Sequence, residues 1–312
     1  MIGITGYSGF VGRHLLAELD ESECLLFGRK SPESEHKYYG FDLTNHNQAD
    51  LTHLLLPITV IIHCAARVHV MNDASVDPLA LFRAANTEGT LNLARQSAKA
   101  GVKRFIFLSS IKVNGEATCN HLAFKSSDVP APQDPYSVSK AEAEQQLMDL
   151  GAQTGMEIVI IRSPLVYGEG VKANFSSLMT FIGKGFPTPF RSINTNERSL
   201  VSVYNLVDLI RVCIGHANAA NQIFLVSDDN DLSTADIVSL MSKVQGKINV
   251  SLPVPACCFK LAGKIFGKTD KVDRLTGSLK LDIEHTKCTL AWVPPYTVEH
   301  GFKLAVKNKF KC

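Results

Sequence analysis

Tyr136 and Lys140 stand four residues apart in the run Pro135-Tyr136-Ser137-Val138-Ser139-Lys140. On a helix that spacing places both side chains on one face. An ammonium beside a phenol favours the phenolate and lowers a pKa that starts at about 10. The pair is then a usable acid or base for a proton on a sugar hydroxyl or carbonyl. Upstream, Phe107-Leu108-Ser109-Ser110-Ile111-Lys112-Val113-Asn114-Gly115 sets two hydroxyls just beyond the end of an apolar strand. One of them can hydrogen-bond the same oxygen. Taken singly these signals are weak, because a Tyr-x-x-x-Lys arises by chance and a serine pair also caps turns.

A third feature gives them company. The chain opens on a short apolar strand that runs into Gly6, Gly9 and Gly12, a GxxGxxG spacing, and then into an amphipathic run through Val11, Leu15, Leu16 and Leu19. Glycines let the backbone approach a pyrophosphate, and a helix N-terminus adds free N–H groups and a positive dipole end. From its place at the start of the chain, no targeting segment is expected before it.

The second strand ends Leu26-Phe27-Gly28-Arg29-Lys30. An NAD-selective pocket usually has Asp or Glu there for the ribose 2′-OH. Arg29 and Lys30 would instead attract a 2′-phosphate, with Arg29 able to bind it as a planar fork. This favours NADP and leaves NAD as the other choice. Asp42, between Phe41 and Leu43, is placed to accept from an adenine amino group. His63-Cys64-Ala65-Ala66 ends a strand in small residues, so a cofactor can pass close to the backbone. Asn86 opens a helical pattern as an N-cap or as a pocket side chain.

The elements that must position these groups alternate along the first half of the chain. Strands are expected at Ile2–Thr5, Cys24–Phe27, Val60–His63, Phe105–Ser109 and Ile158–Arg162, with helices near 11–19, 86–100 and 137–150. Alternation of this kind makes βαβ units and a doubly wound, Rossmann-type parallel sheet, with its functional groups beyond the carboxyl ends of the strands. After Gly168 prolines interrupt the pattern. Leu200–Ile214 and Gln222–Val226 still look like core. The expected division is therefore 1–168 plus about 200–228 for a dinucleotide-binding domain. About 169–199 plus 229–312 would build a smaller, discontinuous α/β substrate lobe. The apolar stretch Pro255–Phe266, interrupted by Lys260 and Lys264, is expected to be a packed helix, with docking on a membrane surface as the alternative.

The chain has 312 residues and a formal net charge of +2, which gives no reason to expect nucleic acid as a partner. No apolar run approaches the ~20 residues that span a bilayer, so no membrane insertion is expected. Eight cysteines show no CxxC spacing and no framework. They are expected to be free thiols in a reducing cytoplasm, with no metal site.

Together, Thr5–Gly12, Asp42-Leu43, His63–Ala66, Asn86, Ser110, Tyr136/Lys140 and the Arg162-Ser-Pro-Leu-Val-Tyr-Gly168 turn resemble the extended short-chain dehydrogenases/reductases of the nucleotide-sugar epimerase/dehydratase group. The resemblance runs nearly the whole length. It implies that Tyr136 is the acid/base, that Lys140 orients ribose and tunes Tyr136, and that Ser110 holds the substrate hydroxyl. Ser110 is preferred to Ser109 because it stands three residues before Val113, as in the family's Ser/Thr-x-x-Val-x-Gly turn. By the same resemblance Gly6, Gly9, Phe10, Val11, Gly12, Arg29, Lys30, Asp42, Leu43, Cys64, Ala65, Ala66, Asn86, Tyr136, Lys140 and Pro164 would line the cofactor. Val68, Ser110, Lys112, Asn174, Arg198 and Arg274 would meet a UDP-sugar. Ser278-Leu279 would close the sugar pocket. Family members commonly dimerise through the helices after Asn86 and around Tyr136–Leu150, which leaves a homodimer open.

The reaction is narrowed by a departure. The family's 4,6-dehydratases carry Asp-Glu directly after the catalytic Ser/Thr; here those places are Ile111 and Lys112. Dehydration is therefore not expected. Gly28-Arg29-Lys30 points to reduction of a UDP-4-keto-6-deoxy-N-acetylhexosamine at C4. So does the resemblance of 109–116, 171–175, 198–201 and 274–279 to bacterial polysaccharide enzymes that do this. The alternative is a UDP-glucose or UDP-GlcNAc 4-epimerase with bound NAD, and a third reading is a non-catalytic NADP-sensing scaffold.

Overall fold

The computed structural model describes residues 1–32, 36–45, 50–68, 77–119 and 122–307; of residues 173, 174, 270 and 307 it describes the backbone only. Nine strands are present among the described residues: β1 Ile2–Thr5, β2 Cys24–Gly28, β3 Lys37–Gly40, β4 Val60–His63, β5 Arg104–Ser110, β6 Glu157–Ser163, β7 Leu165–Tyr167, β8 Leu200–Ser202 and β9 Gln222–Leu225. The helices are α1 Phe10–Leu16, α2 Thr52–Leu55, α3 Pro78–Phe82, α4 Thr90–Lys99, α5 Pro135–Thr154, α6 Ala173–Gly183, α7 Val203–Gly215, α8 Thr234–Val244, α9 Ala256–Ile265, α10 Thr269–Thr276, α11 Glu284–Leu290 and α12 Val298–Lys307.

Seven strands form one parallel sheet in the order β3-β2-β1-β4-β5-β6-β9. Such a sheet is covered on both faces, so its strands read as unbroken apolar runs. Ile158–Ile161 illustrates this, with every side chain fully buried. The order in which strands are added reverses between β1 and β4, and that switch point opens a crevice beyond the strand ends. The register brings Thr5, Phe27 and His63 level, and pairs Ser109 with Arg162.

The core follows this layout. One apolar cluster on the sheet includes Ile4, Leu26, Ile62, Ile161, Leu206 and Phe224, and it also takes in Leu279, Leu281, Leu290 and Trp292. Another lies on the opposite side around Phe27, Phe105, Leu147 and Ile158. A third holds the lobe, with Tyr167, Phe175, Met179, Met241 and Phe302. Residues 279–292 thus pack with the sheet, although the sequence division puts them in the lobe.

Helix α5 carries the Tyr/Lys pair and is the best specified. Asp134 and Ser137 form a capping box, Pro135 sits at the first helical position, and Gly155 ends the helix with φ 78°. Helix α9 departs from expectation. It forms, but only Gly263 within it is buried; Leu261, Ile265 and the following Phe266 are 62 %, 69 % and 71 % exposed. The helix packs through Phe259 and Gly263 only, and the rest of its apolar pattern lies outside the core.

Candidate active site

The glycine turn lies at the switch point. Gly6 has φ +70°, and a Cβ there would stand 2.5 Å from the amide nitrogen of Ala65 on the loop after β4. A Cβ on Gly12 would fall 2.2 Å from the carbonyl oxygen of Gly6. Only glycine allows this approach, and α1 starts without a side-chain cap on its N–H groups. These residues fit a dinucleotide pyrophosphate. Gly12→Ala is expected to cost about 1–3 kcal/mol, as overpacking does, and to weaken NAD binding. Thermal melts and a fluorescence titration check it, and unchanged affinity would refute the cradle.

Around the turn, Tyr7 fills space against Gly28 and donates to the carbonyl of Lys30. Arg29 and Lys30 themselves are exposed. Asp42 accepts from the Thr44 backbone N–H at 2.9 Å and from its hydroxyl at 2.8 Å, which holds its carboxyl below the usual range. Burial pushes the Cys64 thiol up to about 12, so it remains a neutral thiol at neutral pH. His63 is wholly buried between Thr5 and Thr90, with ring nitrogens 2.7 and 3.0 Å from their hydroxyls. Burial first, and Lys140 second, hold its pKa near about 3, so the ring is neutral. Pro164 is buried between β6 and β7, whereas Val68 is 61 % exposed.

For Asn86 the structure removes one of the two readings. It lies inside a continuous helical run, in a π-helical stretch Arg83–Gly89, and so is no N-cap. Its Oδ1 accepts from Arg67 N at 2.8 Å, and its Nδ2 donates to Arg67 O and Ser139 Oγ at 3.0 and 3.1 Å. The side chain clamps the loop after β4 to α5.

Beyond β5, the two serines divide. Ser109 Oγ donates to Glu144 Oε1 at 2.5 Å and is buried. Ser110 caps the turn Ile111–Val113, accepting from Lys112 N at 3.3 Å. Tyr136 sits one turn below Lys140 on α5, its ring edge-on to Phe82 with centroids 6.0 Å apart. Lys140 is 1 % exposed; its Nζ donates to Leu108 O at 2.8 Å and lies 4.1 Å over the Phe107 ring.

The charges do not behave as the spacing suggests. Burial pushes the Tyr136 phenol up to about 12, and the Asp134 carboxylate adds to this. Lys140 is brought down to about 7 by burial, against the opposing pull of Glu144. In the protein alone, then, desolvation outweighs any lowering of Tyr136 by its neighbour. Tyr136 carries its proton at neutral pH. Lys140 binds its proton less tightly folded than unfolded, so stability from this group rises with pH between about 7 and the free-lysine value of 10.5. Chemical denaturation at both ends of that window should show the slope in the parent and a flatter one in Lys140→Met; equal slopes would contradict it.

Sequence reasoning missed the support beneath this pair. Arg162 binds both Glu144 oxygens, at 2.6 Å through Nη2 and 3.1 Å through Nε, and reaches Asn114 Oδ1 at 2.9 Å. Both charged side chains are almost wholly buried. A signal was present: Arg162 interrupts an apolar strand, and Glu144 stands four residues after Lys140 on the same helix face.

On the lobe side, Lys112 is tied to Glu116 at 2.6 Å and to Asp134 at 2.5 Å. Its charge is thereby met by two carboxylates. Arg198 donates to Arg274 O at 2.7 Å and Gly277 O at 3.1 Å. Burial, then the Arg274 charge, lowers its pKa; Arg274 is itself paired with Glu116 at 3.8 Å. Asn174 lies on α6, and its side chain is outside the described residues. Leu279 belongs to the core, and Ser278 Oγ accepts from Glu197 N at 3.0 Å.

A glycine cradle at the switch point of a parallel sheet, with a proton-carrying Tyr beyond the neighbouring strands, is the architecture of a Rossmann-type dinucleotide enzyme. The chain belongs to the NAD dependent epimerase/dehydratase family, whose model matches residues 2–227. It is 52 % identical over 305 residues to a UDP-glucose 4-epimerase of Vibrio cholerae, covering 96 % of this chain and 92 % of that one. It is 26 % identical to an Escherichia coli O157:H7 N-acetyl-alpha-D-glucosaminyl-diphospho-ditrans,octacis-undecaprenol 4-epimerase, covering 98 % and 94 %. Among solved structures it resembles the Bacillus cereus UDP-glucuronic acid 4-epimerase in complex with NAD (TM-score 0.77, 20 % identity, 98 % and 97 % covered). It also resembles the Thermotoga maritima UDP-glucose 4-epimerase with UDP-glucose (TM-score 0.76, 21 % identity, 99 % and 98 % covered). The chain is an enzyme of NAD-dependent nucleotide-sugar chemistry. The preference for NADP drawn from Arg29 and Lys30 gains no support from these comparisons: both side chains are exposed, and the family is NAD dependent. No helix among the described residues is long and apolar enough to cross a membrane.

Proposed function

We propose that the chain interconverts UDP-hexoses at C4, of the UDP-glucose or UDP-GlcNAc type, with NAD retained through turnover. This replaces reduction of a 4-keto sugar as the favoured reading. The observation that carries it is the 52 % identity, over nearly the full length of both chains, to a protein described as a UDP-glucose 4-epimerase. When bound, the nicotinamide supplies the place where a hydride is taken from and returned to C4. Tyr136 carries its proton in the protein alone; beside the positive charge of a bound oxidised nicotinamide its phenolate would be favoured, and this takes the O4 proton as the sugar is oxidised and gives it back as the ketone is reduced. Ser110 holds O4 within reach, and Lys140 positions the ribose and Tyr136. Arg198 and Arg274 receive the diphosphate. Ile111, buried, and Lys112, held by two carboxylates, leave no acid/base pair for dehydration.

The reductase reading retains one observation, the absence of a carboxylate in Gly28-Arg29-Lys30. The two separate in a single experiment. An epimerase converts UDP-glucose to UDP-galactose with no NADPH consumed; a reductase consumes NADPH stoichiometrically on a UDP-4-keto-6-deoxy sugar and leaves UDP-glucose unchanged.

A further inference from the structure

Helix α9 leaves its apolar side bare. Leu261, Ile265 and Phe266 are each more than 60 % exposed, and Cys257, Cys258 and Ala262 beside them are exposed too. On a helical wheel Cys258, Leu261, Ala262 and Ile265 form one stripe, while Phe259 and Gly263 turn inward. The inward side is anchored: Phe259 stacks on Phe190 at 5.8 Å, and Gly263 lies against Val272 of α10. The bare stripe is thus held outward by packing on its other side. The segment leading into α9 repeats the pattern, with Ile248, Val250 and Leu252 exposed at 87 %, 47 % and 51 %. Phe186, 53 % exposed, lies two residues before Thr188, which pairs with this segment.

Charge along this segment has one sign, although Asp270 follows it, exposed Asp273 lies on α10 and Lys243 is paired with Glu299. From Ile237 to Thr269 the chain has five lysines and no aspartate, glutamate or arginine. Lys247, Lys260, Lys264 and Lys268 are exposed. Lys260 and Lys264 flank the apolar stripe on one side. Exposed apolar residues rimmed by lysines on a short surface helix are the makings of an interfacial helix, which lies in the headgroup region without crossing the bilayer. A second copy of this chain would bring lysines against lysines, so self-association through this face is opposed. An anionic surface meets both the apolar stripe and the charge.

We infer that α9 and the segment before it dock this enzyme on an anionic phospholipid membrane surface. The patch is one helix from the substrate side: α10, packed on α9, ends near Arg274, whose carbonyl holds Arg198. Docking there would set the mouth of the sugar-nucleotide cleft close to the bilayer.

The test is co-sedimentation of the full chain, under reducing conditions, with vesicles of mixed phosphatidylglycerol and phosphatidylcholine and with phosphatidylcholine alone. Binding is expected to the anionic vesicles and to fall with added salt. Lys260→Gln/Lys264→Gln/Lys268→Gln should weaken it by on the order of fivefold per lysine. Leu261→Ser/Ile265→Ser/Phe266→Ser should abolish it, with circular dichroism and turnover on a soluble UDP-sugar unchanged in both variants. Failure of the parent to bind anionic vesicles, equal binding to neutral ones, or full binding by the serine variant would each overturn the proposal. So would sedimentation analysis showing a dimer that the serine variant dissolves, since that would assign the face to a second copy.

Discussion

Tyr136→Phe is expected to lower kcat by at least ~100-fold, the usual scale for removing a general acid/base, and to leave dinucleotide affinity unchanged. The substitution deletes one oxygen. The ring keeps its edge-on contact with Phe82, and Phe107 and Lys140 keep theirs. What is lost is the oxygen that takes the O4 proton in one half of the reaction and returns it in the other. Steady-state rates and an NAD binding titration on the same preparation check both halves. A variant that turns over at the parental rate would sink the assignment of Tyr136. One that loses binding and rate together would make Tyr136 a structural residue.

The other large effect lies beneath the site. Glu144→Leu leaves the Arg162 guanidinium buried with Asn114 in place of a carboxylate. Removing one partner of a buried pair typically costs about 3–5 kcal/mol. Urea denaturation should show the midpoint falling with little change in slope. The double replacement Glu144→Leu/Arg162→Met should recover much of the loss, because it removes the orphaned charge too. A loss within about 0.5 kcal/mol, the range of ordinary surface changes, would contradict the view that this pair carries the strand end bearing Ser109 and the helix bearing Lys140. The same change takes away the charge that opposes burial at Lys140, so the lysine should titrate lower still.

How much of this was legible in the sequence depended on what fixed each feature. Ile2–Thr5 and Val60–His63 were read to the residue because a strand buried on both faces leaves an unbroken apolar run. Lys37–Gly40 was not read: it is a four-residue edge strand, half exposed, without alternation or an apolar run. Leu165–Tyr167 and Leu200–Ser202 pair only with each other over three residues, a long-range contact that no local pattern encodes. The Tyr/Lys pair and the glycine turn were legible because their spacing is their geometry. The partners of Asn86 were not, since an N-cap, a pocket side chain and a clamp between two segments call for the same polar residue, and only the fold shows Arg67 and Ser139 beside it. The ion pairs of Lys112 with Glu116 and Asp134 were not legible either, because Asp134 lies 22 residues away in sequence. Ala256–Ile265 looked like core because an apolar stripe reads the same whether it faces protein or remains bare.

The measurement that bears most directly on the central claim is incubation of the purified chain with UDP-glucose and UDP-GlcNAc, no cofactor added, followed by separation of the sugar nucleotides. Parallel tubes hold a UDP-4-keto-6-deoxy sugar with NADPH, followed at 340 nm by its known absorbance band. Conversion of UDP-glucose to UDP-galactose, or of UDP-GlcNAc to its 4-epimer, with the NADPH signal flat in the parallel tubes, is the predicted result. Stoichiometric loss of NADPH on the keto sugar, with the plain UDP-sugars untouched, would contradict it and return Arg29 to the cofactor pocket.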